Sequence, residues 1–310
     1  MVLVILDRLG APPARLEAWA ATYATVSGLV PAPPDQRRVD RITWSRRLGE
    51  RGLEGDFRGY FAREIARHGV AEVERRHLPV LVPGIAASAL HALMRLAYGH
   101  LREEPAEIGI ALAYWAATWL PLGSSGGPRP VTDEPAELLP ALRAIEPLRH
   151  LEPPSDLLWH WMREAAACPG FPPVAALLGD PPDLLERTAR ASLALMAGTM
   201  SFEALHAVTA THWVRLVGPA WPDMGLALRH LWQAVAAVYP KMGMPELPDA
   251  AALAAMRRRR CPPWPAIVEA AIASDDEHDI SFTFSAREEE RQWGDPLYRV
   301  LAARRLRLID

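Results

Sequence analysis

Ten histidines occur among the 310 residues, and three stand in apolar, helix-forming surroundings where a charged or hydrated imidazole would be out of place. They are His91 in PGIAASALHALMRLAYG (83–99), His206 in SFEALHAVTATH (201–212) and His278 in DDEHDISFTFSAREE (275–289). A neutral imidazole is a common metal ligand and a general base, so these three are the candidate chemistry of the chain. Taken alone, His91 reads as a hydrogen-bonded core histidine, with Ala87 and Ser88 leaving room beside the ring and Met94, Arg95 and Tyr98 on the same face. For His206, Ser201 supplies an N-cap, and Glu203 and Thr209 lie one turn away as partners for its second nitrogen. His212 is six residues on, roughly 240° around the helix, so the two cannot chelate one ion as an i,i+4 pair could; His212 is the second choice. Asp275, Asp276, Glu277 and Asp279 flank His278, and a solvated acidic helix start explains those carboxylates as well as a site does. Lys241 is the only lysine in the chain. A position that keeps a primary amine while arginine fills every other basic position is worth attention, because only lysine shifts its pKa readily on burial.

The elements that must position these side chains are helices. Many of the 30 prolines stand just before apolar runs spaced at three and four residues, where a missing N–H costs nothing. Pro13, Pro105, Pro135, Pro182 and Pro296 read as helix starters, with Asp295 as the cap of the last. Only Ile280–Phe284 alternates like a strand, and it runs on into the helix-forming SAREEERQW, so helix is the reading there too. MVLVILDRL (1–9) looks like a buried helix with no polar lead-in. The expectation is all-α: one large domain over 1–310, about a dozen helices joined by short Pro/Gly turns. The most open connection, Gly123–Pro128, reads as a surface turn or lid.

Composition narrows the function. Basic and acidic residues number 34 and 37, net charge is −3, and the charges are spread along the chain, leaving no basic stripe to hold a phosphate backbone; nucleic acid is not an expected partner. Two cysteines, Cys168 and Cys261, form neither a metal spacing nor a disulfide framework. No apolar run reaches the ~20 residues of a membrane helix and no secretory leader is visible, so a cytoplasmic protein with no membrane partner is expected. No Gly-rich dinucleotide loop is present, so any NADPH would act as an external reductant. Tryptophan is frequent, 11 in all, which suits a pocket for flat ligands, although core packing accounts for each one singly.

Taken in order, LDRLGAPPARLEAW (6–19), PGIAASALHALMRLAYG, ALAYWAATWLPLG (111–123), SFEALHAVTATH, DDEHDISFTFSAREE and GDPLYRVLAARRL (294–306) resemble the blocks of the questin-oxidase-like family. The resemblance implies a non-haem iron oxygenase that oxidises or ring-cleaves a polycyclic aromatic polyketide such as an anthraquinone, with dioxygen as co-substrate. It implies iron held by His91, His206, His278 and a carboxylated Lys241, with His212, Glu203 and Asp276 as second choices or outer partners. Trp115, Trp119, Trp213, Tyr98 and Arg95 would then line the substrate pocket. The family carries a histidine-containing run just before the segment that here begins at Met1, and this chain has no histidine before His68; a ligand is expected to be lost or to lie upstream. A family member that has lost its chemistry and serves as a binding or scaffolding protein is the competing reading. The oligomeric state is not encoded in any motif.

Overall fold

The computed structural model describes residues 1–26, 31–123 and 129–310; beyond Gly123, the Gly/Ser-rich turn lies outside them. The helices in chain order are α1 (Val2–Leu9), α2 (Pro13–Val26), α3 (Glu54–His68), α4 (Val70–Leu81), α5 (His91–Arg102), α6 (Pro105–Thr118), α7 (Leu139–Leu142) and α8 (Leu158–Ala167). They continue with α9 (Val174–Leu177), α10 (Leu184–Thr199), α11 (Phe202–Val217), α12 (Met224–Val238), α13 (Ala250–Arg257), α14 (Trp264–Ala273), α15 (Glu277–Trp293) and α16 (Leu297–Arg305). No strand forms among the described residues, only two isolated bridges. The protein is all-α, with more helices than the dozen the sequence leads one to expect; two of them, α7 and α9, are single turns.

The chain makes two compact units, each discontinuous in sequence: Met1–Pro31, Ser192–His212 and Leu247–Asp310 form the first, Ala32–Ala191 and Trp213–Glu246 the second. Two of the four boundaries fall inside α10 and α11.

In the first unit α1 packs on α15, which also meets α14 and α16. Helix α1 buries Ile5, Leu6 and Leu9, and Gly10 ends it at φ 88°, the left-handed region glycine enters without strain, with backbone N–H groups returning to Leu6 and Asp7. Helix α15 buries Ile280, Phe282 and Phe284 and also the Ser281, Thr283 and Ser285 between them. Burial on every side explains why its sequence alternates like a strand while its backbone is helical.

In the second unit α6 is buried nearly all round, between α3 and α5. Its start is as the sequence requires, with Pro105 in the first turn and the Glu104 carboxylate accepting from Ala106 N–H. Pro135, by contrast, opens a 3₁₀ turn, Pro135–Leu138, that leads into α7. Gly84 lies where an added Cβ would come within 2.1 Å of the Trp119 ring, and the indoles of Trp115 and Trp119 donate to Gly84 O and Leu81 O at 3.1 and 3.0 Å. Both rings are anchored, so neither can retreat. Gly84→Ala is expected to cost about 1–3 kcal/mol by overpacking, read in denaturant titration; a cost near zero would mean that the Trp119 ring moves freely.

His230, mid-α12, is 3% exposed, and its Nε2 has no hydrogen-bond partner among the described residues. Burial, helped by the neighbouring Arg229 charge, pushes its pKa down from 6.5 to about 4. The unfolded chain takes up this proton below pH 6.5 and the folded chain does so only near 4, so stability present above 6.5 is lost as pH falls through that window, by about 3 kcal/mol. His230→Leu should remove this part of the slope. Equal slopes for variant and parent between pH 7 and 4.5 would sink the assignment.

Candidate functional site

Two of the three sequence-selected histidines meet in the first unit. His206 projects from the first turns of α11, whose start is capped as expected, Ser201 Oγ accepting from Ala204 N–H at 3.1 Å. His278 stands at the start of α15, where Asp276 is the N-cap and accepts from His278 N–H at 2.8 Å. The two imidazole centres are 5.8 Å apart, and the Phe202 ring packs edge-on against both, at 4.6 and 4.7 Å.

Each ring is oriented by its Nδ1–H. That of His206 donates to Phe202 O at 2.8 Å, the carbonyl one turn back, rather than to Glu203 or Thr209 as the spacing predicts; the Thr209 hydroxyl itself donates to Leu205 O. That of His278 donates to Asp276 Oδ1 at 3.0 Å. A carbonyl or carboxylate can only accept, so in the neutral form each ring carries its proton on Nδ1 and the lone pair on Nε2. Arg305 fixes the carboxylates in turn, reaching Asp276 Oδ2 at 2.9 Å and Asp279 Oδ1 at 2.6 Å. Burial raises the Asp276 pKa, but the His278 backbone and ring N–H groups, with the Arg305 charge, outweigh it and hold the carboxyl below its ordinary value.

A cleft of about 460 Å³ opens at His278, a size that takes a small organic molecule. Its walls include Trp19, Tyr23 and Val26 of α2, with Arg15 and Asp276 at its edge. Arg15 is committed to the frame: it donates to Ile272 O and Ser274 O at 2.7 and 2.6 Å and lies over the Trp19 ring. The sequence reading overlooks this wall although its signal is present, since Arg15, Trp19, Tyr23 and Val26 follow i, i+4, i+8, i+11, one stripe of a helix.

The remaining candidates belong to the second unit. The segment 85–90, expected to be helical, is instead a turn, and α5 begins only at His91. Ser88, Ala89 and Leu90 all take left-handed backbone, φ 49°, 57° and 70°, a conformation that costs a non-glycine residue roughly 1–2 kcal/mol. Tyr114 Oη donates to Ser88 Oγ at 2.7 Å, and His91 Nδ1–H to Ser88 O at 2.6 Å, so this ring too has its lone pair on Nε2. Lys241 follows α12, its ammonium paired with Asp156 and 5.2 Å over the Trp161 ring. The five residues named for an aromatic pocket are framework: Trp115, Trp213 and Tyr98 are buried, Trp213 Nε1 donates to Tyr98 Oη at 3.2 Å, and Trp119 is the partner of Gly84. Arg95 faces Glu107 at 3.8 Å. His212, the second choice, donates from Nδ1 to Glu289 Oε1 at 2.7 Å.

The donor set fits part of a metal centre. Two imidazoles on one ion, each nitrogen about 2.1 Å from it, hold their ring centres no more than roughly 6.5 Å apart, and His206 and His278 meet that limit. A carbonyl behind one Nδ1–H and a carboxylate behind the other are the outer partners such ligands use. Among the described residues no three His, Cys, Asp or Glu side chains converge as a complete site. Lys241 as it stands does not fit a carbamate, because carboxylation would set a second anion beside Asp156.

Helices alone carry this site, an aromatic cleft beside an oriented histidine pair in an all-α protein. Residues 1–152 match the model of the Questin oxidase-like family, a family whose name is that of an oxidase. No curated protein matches the chain. No helix among the described residues is long and apolar enough to cross a membrane.

Proposed function

We propose that this protein is an oxidoreductase that oxidises or cleaves a polycyclic aromatic polyketide, and that it does so with iron. The observation that carries the reading is the His206–His278 pair, its ring centres 5.8 Å apart, with His278 lining a cleft whose walls include Trp19 and Tyr23. His206 and His278 would hold the ion. Bound iron supplies the activation of dioxygen. Around it the chain's own groups do the rest. Asp276, itself gripped by Arg305, keeps the His278 ring from rotating; Phe202 holds both imidazoles at their separation; Trp19 and Tyr23 offer rings against which a flat substrate stacks while water is displaced. NADPH, if a reductant is needed, reaches the site as a free co-substrate or through a partner. With both cysteines unpaired, a cytoplasmic setting is part of the proposal.

Oxygen uptake with a hydroxyanthraquinone, with and without ferrous iron and NADPH, tests it. Iron-dependent uptake that is lost on Trp19→Ala is the expected result. No uptake under any of these conditions, together with retained anthraquinone binding, would favour a binding protein without chemistry.

A further inference from the structure

A second cleft, about 620 Å³, lies in the second unit between the start of α4, the end of α5 and the stretch from Leu216 to Pro222. Its walls are mostly apolar, among them Val70, Leu216, Pro219 and the indole of Trp221, which is fixed by donation from Nε1 to Val214 O at 2.8 Å. One group is out of keeping. Glu74 also lines the cleft with its side chain only 3% exposed, and a single hydrogen bond reaches that carboxylate among the described residues, from His100 Nε2 to Oε1 at 2.6 Å. The nearby cations are engaged elsewhere: Arg75 holds both Glu72 oxygens at 2.7 Å, and Arg76 holds the same carboxylate. A buried carboxylate needs charge and hydrogen bonds around it, and Oε2 still has an acceptor site to fill.

We propose that this cleft binds a small aromatic amine in its ammonium form. The ammonium would donate to Glu74 Oε2 while the ring lies among Leu216, Pro219 and Trp221, the indole adding a cation–π attraction. The anchor and walls are distinct from the His206–His278 pair, so the inference stands or falls independently of the proposed oxidation.

Calorimetric titration of the full chain with phenethylamine, phenethyl alcohol and phenylacetate reads the sign of the recognised charge at nearly constant shape. The amine should bind about tenfold more tightly than the alcohol, with phenylacetate weakest. Glu74→Gln should bring the amine to the level of the alcohol, and Leu216→Trp, which fills the cleft without touching the charge, should abolish binding of all three. Should Glu74→Gln fail to fold, the ranking on the parent protein and the Leu216→Trp result still decide. Equal affinities, a preference for phenylacetate, or no saturable heat up to about 10 mM amine would overturn the proposal.

Discussion

Purified chain loaded with ferrous iron should retain about one ion per molecule, and His206→Ala or His278→Ala should each lower iron affinity at least about 100-fold and remove turnover. Each substitution deletes one of two imidazoles whose ring centres lie 5.8 Å apart, and the remaining imidazole alone is a weak monodentate site. Asp276→Asn should be milder, about 10- to 100-fold, because the ring stays and only its orientation is loosened. The thermal stability of the metal-free forms separates these losses from unfolding. His206 is buried against Phe202 and its replacement leaves a small cavity, whereas His278 is half-buried at a helix start and its removal costs little. Loss of iron with unchanged melting in His278→Ala is therefore the discriminating result. Full iron binding in both His206→Ala and His278→Ala would exclude the pair as ligands.

What was legible in the sequence divides along the range of the forces involved. Features set within one turn of helix read correctly: the Ser201 cap of α11, Pro105 at the start of α6, and α15 as a helix despite its alternating Ile280–Phe284. The resemblance implied one ligand set of His91, His206, His278 and Lys241; of these, the rings of His206 and His278 lie 5.8 Å apart. Features set by distant partners did not read. The left-handed run before His91 is stabilised by Tyr114, 26 residues away, and no local propensity announces three non-glycine residues at positive φ. The grip of Arg305 on Asp276 spans 29 residues. The aromatic wall went astray for another reason. Tryptophan frequency drew attention to Trp115, Trp119 and Trp213, whose indole N–H groups donate to Gly84 O, Leu81 O and Tyr98 Oη, while the stripe carrying Trp19 and Tyr23 lies in α2.

The largest stability effect is expected not at the cleft but at Glu289. Its side chain is 1% exposed and accepts from His212 Nδ1 and Trp293 Nε1, both at 2.7 Å, while His212 is wholly buried. Glu289→Ala removes the acceptor of two donors and leaves a cavity between α15 and α11, inside the first unit. Breaking a buried charged network by deleting one member costs about 3–5 kcal/mol, several times the ~1 kcal/mol of an ordinary substitution, and in a chain of this size should lower the melting temperature by roughly 6–15 °C. Glu289→Gln keeps the shape and a carbonyl for one of the two donors, so about half that loss is expected. His212→Phe should be no worse than Glu289→Ala, since it deletes one donor and leaves the Trp293 Nε1–H on the carboxylate. A double variant, Glu289→Leu with His212→Phe, replaces both groups by apolar ones and should recover much of the loss, because the cost comes from unmatched partners rather than from missing attraction. A loss below about 1 kcal/mol for Glu289→Ala would mean that water enters the site and satisfies the donors, and the network would then have no claim to hold the helices that carry His206 and His278.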